Sequence, residues 1–118
     1  MRYFPSLAAA AILIASAMTY AADPVGSYKV EGVNPGNLEP YSGTATVAKT
    51  GDTYRVTWII DGTTYNGTGI GNSDFLAVSY RSGNDTGLAL YGAEGGNWIG
   101  TWTYAGAKKL GGEKWLRK

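Results

Sequence analysis

The chain has 118 residues, among them 18 glycines, nine tyrosines and four tryptophans, with ten basic against nine acidic side chains. Cysteine and histidine are absent, which excludes a disulfide framework, a thiol nucleophile, a Ser-His-Asp triad and a zinc site of the usual nitrogen and sulfur donors. One small domain is the limit at this length, and a net charge of +1 supplies no basic face to displace counterions from phosphates, so no nucleic-acid partner is expected.

Residues 1–21 read as a secretory signal peptide. Arg2 and the amino terminus are positive, an apolar run extends from Leu7 to Met18, and Thr19-Tyr20-Ala21 presents small residues at the positions a signal peptidase prefers. Cleavage is expected after Ala21, with Ala22 as the alternative; a buried N-terminal helix is the competing interpretation. The apolar run falls short of the roughly 20 residues that cross a bilayer. A secreted or periplasmic bacterial protein with no membrane span is expected, formed by residues 22–118 as one domain and held by its core and hydrogen bonds without disulfides.

Beyond Ala22 the apolar residues alternate with period two and glycines recur every few positions, the pattern of short strands. Eight are expected, near 26–32, 41–49, 53–60, 63–70, 74–81, 86–92, 97–104 and 112–117. An aromatic-x-Gly-Thr device occurs three times, beginning at Tyr41, Tyr65 and Trp98; the unequal spacing marks a strand device and not a solenoid repeat.

The turns set the register. Asp61-Gly62 suits a type I′ turn and places Trp58 opposite Tyr65, Val56 opposite Gly67 and Tyr54 opposite Gly69. Gly51-Asp52 suits type II′ and places Val47 opposite Val56, Ala45 opposite Trp58 and Gly43 opposite Ile60. Centring on Gly83-Asn84 pairs Tyr80 with Gly87, Val78 with Ala89 and Leu76 with Tyr91. A turn at Gly95-Gly96 pairs Tyr91 with Gly100, Ala89 with Trp102 and Gly87 with Tyr104. The first two turns agree on one apolar face, while Thr44, Thr46, Arg55, Thr57, Asn66 and Thr68 occupy the other, and the same logic extends to the last two. Large residues repeatedly oppose glycine or alanine, as the interior of a narrow closed barrel requires. An all-β fold follows, an eight-stranded antiparallel up-and-down β-barrel, with a two-sheet β-sandwich as the alternative. An outer-membrane barrel fits poorly, because polar residues point outward and the strands are short.

The segments Tyr28-Lys29-Val30-Glu31-Gly32, Gly51-Asp52-Thr53-Tyr54-x-Val56-x-Trp58, Gly87-Leu88-Ala89-Leu90-Tyr91 and Gly100-Thr101-Trp102, with Tyr41-x-Gly43, resemble a family of short secreted proteobacterial proteins commonly labelled fibronectin-binding protein. The resemblance covers essentially the whole mature chain and implies an extracellular protein or matrix partner. The Gly-Thr-Trp and tyrosine-rich hairpins are also similar to calycin and avidin-type barrels, an analogy of fold alone.

Three features are candidates for function. The inward aromatics Tyr54, Trp58, Tyr65, Tyr80, Tyr91 and Trp102, with Tyr104 beyond them, either fill the core or line a cup for a small apolar or sugar-like ligand at a barrel mouth. Phe75, Leu88, Leu90 and Ile99 point outward as an apolar patch, expected either to meet a protein or matrix partner or a second copy, or to be covered by Val33 and Leu38 of the 33–40 loop. The last 11 residues hold five bases and one acid, against four bases and eight acids over 22–107; this is either a basic rim for anionic polymers or a solvated terminus. Non-enzymatic binding through the outer surface is the function expected, with the cup as the alternative. No catalytic residue, metal site or cofactor is expected. The acids sit mainly in turns, and Glu31 and Glu113, on the two strands that would close the barrel, are expected either to approach as a carboxylate pair or to make cross-strand ion pairs with Lys29, Lys114 and Arg117.

Overall fold

The protein is described by a computed structural model over residues 23–118; the leader expected over residues 1–21 lies outside the described residues. Alternating side chains and glycine-bearing turns build eight strands: β1 (Gly26–Val33), β2 (Pro40–Thr50), β3 (Thr53–Ile60), β4 (Thr63–Gly71), β5 (Phe75–Ser82), β6 (Asp85–Glu94), β7 (Asn97–Tyr104) and β8 (Gly111–Arg117). Each pairs antiparallel with its sequence neighbour, and β1 pairs with β8, which closes an up-and-down barrel and leaves no free sheet edge. The sandwich alternative is thereby set aside. Among the described residues no helix is long and apolar enough to cross a membrane.

Local backbone chemistry explains the register. Asp61 and Gly62 both take positive φ, at 51° and 77°, as a type I′ turn demands. Trp58 accordingly faces Tyr65, and Tyr54 faces Gly69. The pairings of Val47 with Val56, Leu76 with Tyr91 and Ala89 with Trp102 follow in the same way. A Cβ at Gly67 would stand 2.6 Å from Val78 Cγ1 and 3.0 Å from the Trp58 ring, so glycine there is what admits the indole. In each aromatic-x-Gly-Thr device, Tyr41, Tyr65 and Trp98 share the interior with Gly43, Gly67 and Gly100 two residues on, so that a large ring and an open space alternate along one strand.

The two ends of the barrel differ. At the end carrying the Gly51-Asp52 and Gly95-Gly96 turns, Tyr28, Val30, Val56, Leu76, Trp98 and Trp115 form a tightly buried core. Residues 23–25 fold across this end: Pro24 is fully buried and its carbonyl accepts a hydrogen bond from the Tyr28 hydroxyl (2.6 Å), which in turn accepts one from Trp98 Nε1 (3.2 Å). Arg117 secures the plug by donating to the carbonyls of Val25, Asp23 and Gly96 at 2.8–3.0 Å. The other end carries the Asp61-Gly62 and Gly83-Asn84 turns and the two longer loops, and it is open.

Glu31 and Glu113 do not form a pair. Gly32, not Glu31, is opposite Glu113, while Glu31 is opposite Lys114. Strand parity therefore sends Glu31 outward, 3.7 Å from Lys29, and Glu113 inward. Glu31 thus pairs with Lys29 of its own strand and not across the seam as expected, while Arg117 is committed to backbone carbonyls.

Candidate functional site

The open end leads into a cavity of about 600 Å³ inside the barrel. Its walls are Tyr41, Trp58, Tyr65, Tyr80, Tyr91, Trp102 and Tyr104, contributed by β2 to β7, with Ile60 and Ala89 between them. Asn34, Asp61, Thr63, Asn84, Asp85, Thr86 and Ala105 form the rim, and Glu113 lies at the inner wall. The rings meet edge to face: Tyr80 stands at 67° to Trp58, 79° to Tyr65 and 67° to Trp102, with centroids 5.9–6.3 Å apart, and Tyr41 stands at 80° to Trp102. Such perpendicular contacts suit the ring quadrupole and hold the walls at fixed angles.

Glu113 is the polar centre of the interior, with 7% of its surface exposed. Its Oε1 accepts hydrogen bonds from Tyr91 Oη (2.5 Å), Trp115 Nε1 (2.8 Å) and Trp58 Nε1 (3.0 Å), and its Oε2 accepts one from Tyr41 Oη (2.5 Å). Four donors converge on one carboxylate, which offsets the cost of removing it from water and gives each large polar ring a partner for its buried tip. The network joins β2, β3, β6 and β8, so it ties the seam strand to the opposite wall. Trp102 Nε1 is the exception: it is buried and has no hydrogen-bond partner. It is pressed against Gly111, where a Cβ would come within 2.7 Å of it.

Burial is the main influence on the tyrosines. It pushes the Tyr41 and Tyr91 hydroxyls well above the ordinary range, and the adjacent Glu113 carboxylate pushes them further. Tyr80 is pushed up to about 12, by burial first and then by Tyr65, Glu113 and Asp85. Tyr28 is raised by burial against the opposing pull of Arg117. The folded chain thus keeps protons that the unfolded chain releases near pH 10, so this contribution to stability is complete below about pH 10 and declines as pH rises beyond it. On alkaline titration the tyrosinate absorbance of Tyr41 and Tyr91 is expected to rise only together with loss of the near-ultraviolet circular dichroism of the core. Full tyrosinate formation while that signal persists would contradict the burial of Tyr41 and Tyr91 against Glu113.

Of the six aromatics expected to face a ligand, Trp58, Tyr65, Tyr80, Tyr91 and Trp102 line the cavity together. Tyr54 does not: it is buried in the closed half, with its hydroxyl 3.4 Å from Lys49 Nζ. Tyr41 and Glu113 are members of the site that sequence reasoning missed. Phe75, Leu88, Leu90 and Ile99 all lie on the outer wall and are exposed, as are Ile70 and Leu110 beside them. Leu38 is itself 61% exposed, so the 33–40 loop gives this patch no cover.

The class defined by this geometry is a closed eight-stranded antiparallel barrel, packed solid at one end and hollow at the other. No protein-family model matches the chain, and comparison with curated proteins finds no match either.

Proposed function

We propose that this is a secreted or periplasmic binding protein that takes a small ligand into the aromatic cup. The observation that carries this reading is the cavity of about 600 Å³, open at one end and walled by five of the expected aromatics, a size in the range of about 300–1,000 Å³ typical of small-molecule sites. The solid end and its plug support it, because they supply the rigidity that lets a hollow half persist without collapse. Location outside the cytoplasm rests on the apolar leader of the sequence.

Trp58 and Trp102 report on occupancy directly. Titration with a panel of small aromatic, sugar and amine compounds is expected to give saturable changes in tryptophan fluorescence at one site. Ala89→Leu, which extends a side chain into the cup between Val78 and Trp102, should abolish that response while leaving the circular dichroism of the barrel intact. A panel without any response, or a response indifferent to Ala89→Leu, would overturn the proposal.

A second reading, self-association, draws on the outer wall. Register aligns Ile70, Ala77 and Leu90 in one row across β4, β5 and β6, with Leu88, Phe75 and Ile99 in the adjoining rows. The groove among them, from Thr68 to Leu110, is lined by uncharged residues, so two copies can meet there without like-charge repulsion. Sedimentation velocity at micromolar concentration is expected to show a dimer that Leu90→Lys dissociates; a monomer indifferent to that substitution would remove it.

A further inference from the structure

The charged residues that line the cup are of one sign. Asp61 and Asp85 stand on the rim and Glu113 at the inner wall, and among the described residues no lysine or arginine lines the cavity. Lys108 and Lys109 belong to the β7–β8 loop at the same end but lie outside the lining. Glu113 and Asp85 both act electrostatically on the Tyr80 hydroxyl in the raising direction, so their field reaches the middle of the cup.

The walls have the same polarity. An aromatic face carries the negative lobe of the ring quadrupole, and rings set nearly perpendicular to one another form adjacent walls of a box that surrounds a cation on several sides. Tyr80, with Trp58, Tyr65 and Trp102 at 67–79° around it, sets four rings at such angles along the cavity wall. The Glu113 carboxylate already accepts four hydrogen bonds, so it acts on an occupant through its charge and not as a free acceptor.

We infer that the cup selects a small organic cation, a methylated or quaternary ammonium group, held by the aromatic walls and drawn in by Asp61 and Asp85. This rests on the cup being a ligand site and adds the charge and chemical class of the occupant. A neutral sugar or apolar compound of equal size would forgo the attraction of both the rings and the acids.

Choline and its neutral tert-butyl analogue, in which carbon replaces the ammonium nitrogen, separate charge from shape. Tryptophan fluorescence titration at low salt is expected to show choline binding about tenfold more tightly, about 1.4 kcal/mol. The double variant Asp61→Asn, Asp85→Asn changes two exposed rim residues, and asparagine tolerates the positive φ of Asp61. It should weaken choline about threefold, leave the neutral analogue unchanged and lessen the effect of salt. Equal or tighter binding of the neutral analogue, or choline affinity indifferent to the double variant, would overturn the cation while leaving the cup as a ligand site. Absence of binding by both compounds also overturns the cation; the cup itself then falls only if the wider panel gives no response with Ala89 in place.

Discussion

Glu113→Ala is expected to cost about 3–5 kcal/mol, the range for removing one partner from a buried charged network, and so to bring a domain of this size close to unfolding. The loss has a specific origin. Tyr41, Tyr91, Trp58 and Trp115 all direct their donors at this carboxylate, and each donor left unpaired in a buried site carries a penalty of about 1–3 kcal/mol. The penalties do not simply add, because Tyr41 and Tyr91 line the cup and water can reach the space vacated. Trp115, fully buried on the far side, has no such relief. Glu113→Gln should be much milder, about 1–2 kcal/mol. Its amide oxygen can keep the three donors at Oε1, and the Tyr41 hydroxyl can rotate to accept from the amide nitrogen at the position of Oε2. Urea denaturation followed by tryptophan fluorescence gives both values. Equal costs for the two substitutions, or a cost for Glu113→Ala below about 1 kcal/mol, would mean that the network does not hold the barrel together.

Trp58→Ala is expected to cost a comparable amount, about 3–5 kcal/mol, for a different reason. The indole is 4% exposed and packs edge to face on Trp115 at 6.0 Å and Tyr80 at 5.9 Å, at the boundary between the solid and hollow halves. Its removal both enlarges the cup downward and deprives Glu113 of one donor. Trp58→Phe separates the two effects: it retains most of the ring contact and loses the N–H, so about 1–2 kcal/mol is expected. Denaturation midpoints for the two variants provide the check. Unchanged stability in Trp58→Ala would remove the residue from the core.

The fold was legible because four of the five hairpins from β2 to β7, all but β4–β5, carry their own register signal. Asp61-Gly62, Gly51-Asp52, Gly83-Asn84 and Gly95-Gly96 each name the residues that face each other, and an inward aromatic set opposite glycine confirms the assignment from the neighbouring strand. At β8 that chain of reasoning breaks. The loop between Tyr104 and Gly111 has no two-residue turn at its tip, so nothing local fixes which of Glu113 and Lys114 faces inward. Parity within β8 did hold a signal: Gly111, Glu113 and Trp115 alternate with the polar Lys114, and a tryptophan at the inward position carries the glutamate with it. A charged residue is an unexpected tenant of an interior, since its burial requires donors from distant strands that no local pattern reveals. Tyr28 was missed similarly, being anchored by the closed end and not by a turn, whereas Trp98 shares the parity that the Gly95-Gly96 turn gives Gly100. The hollow half lay beyond reach for another reason. Whether seven rings fill a barrel or leave space depends on their tilts, which period-two alternation does not specify.

The seam between β1 and β8 has a consequence for how the molecule assembles. Every other strand pair joins sequence neighbours, whereas residues 28–33 must find residues 112–117, across nearly the whole described chain. Loop closure over that span is the most demanding step of the fold, and until it occurs the meander has two unpaired margins. Glu113 sits on one of the two strands that make this closure, and its four partners lie on β2, β3, β6 and β8 itself. A slip of one residue in β8 would bring Lys114 to the three donors of the other strands and turn Trp115 outward with Glu113, leaving the Trp58 N–H without an acceptor and a buried ammonium without a counter-charge. The buried carboxylate therefore acts as a key that fits the ring in one alignment, and the same group that lends the cup its charge also guards the correctness of its closure.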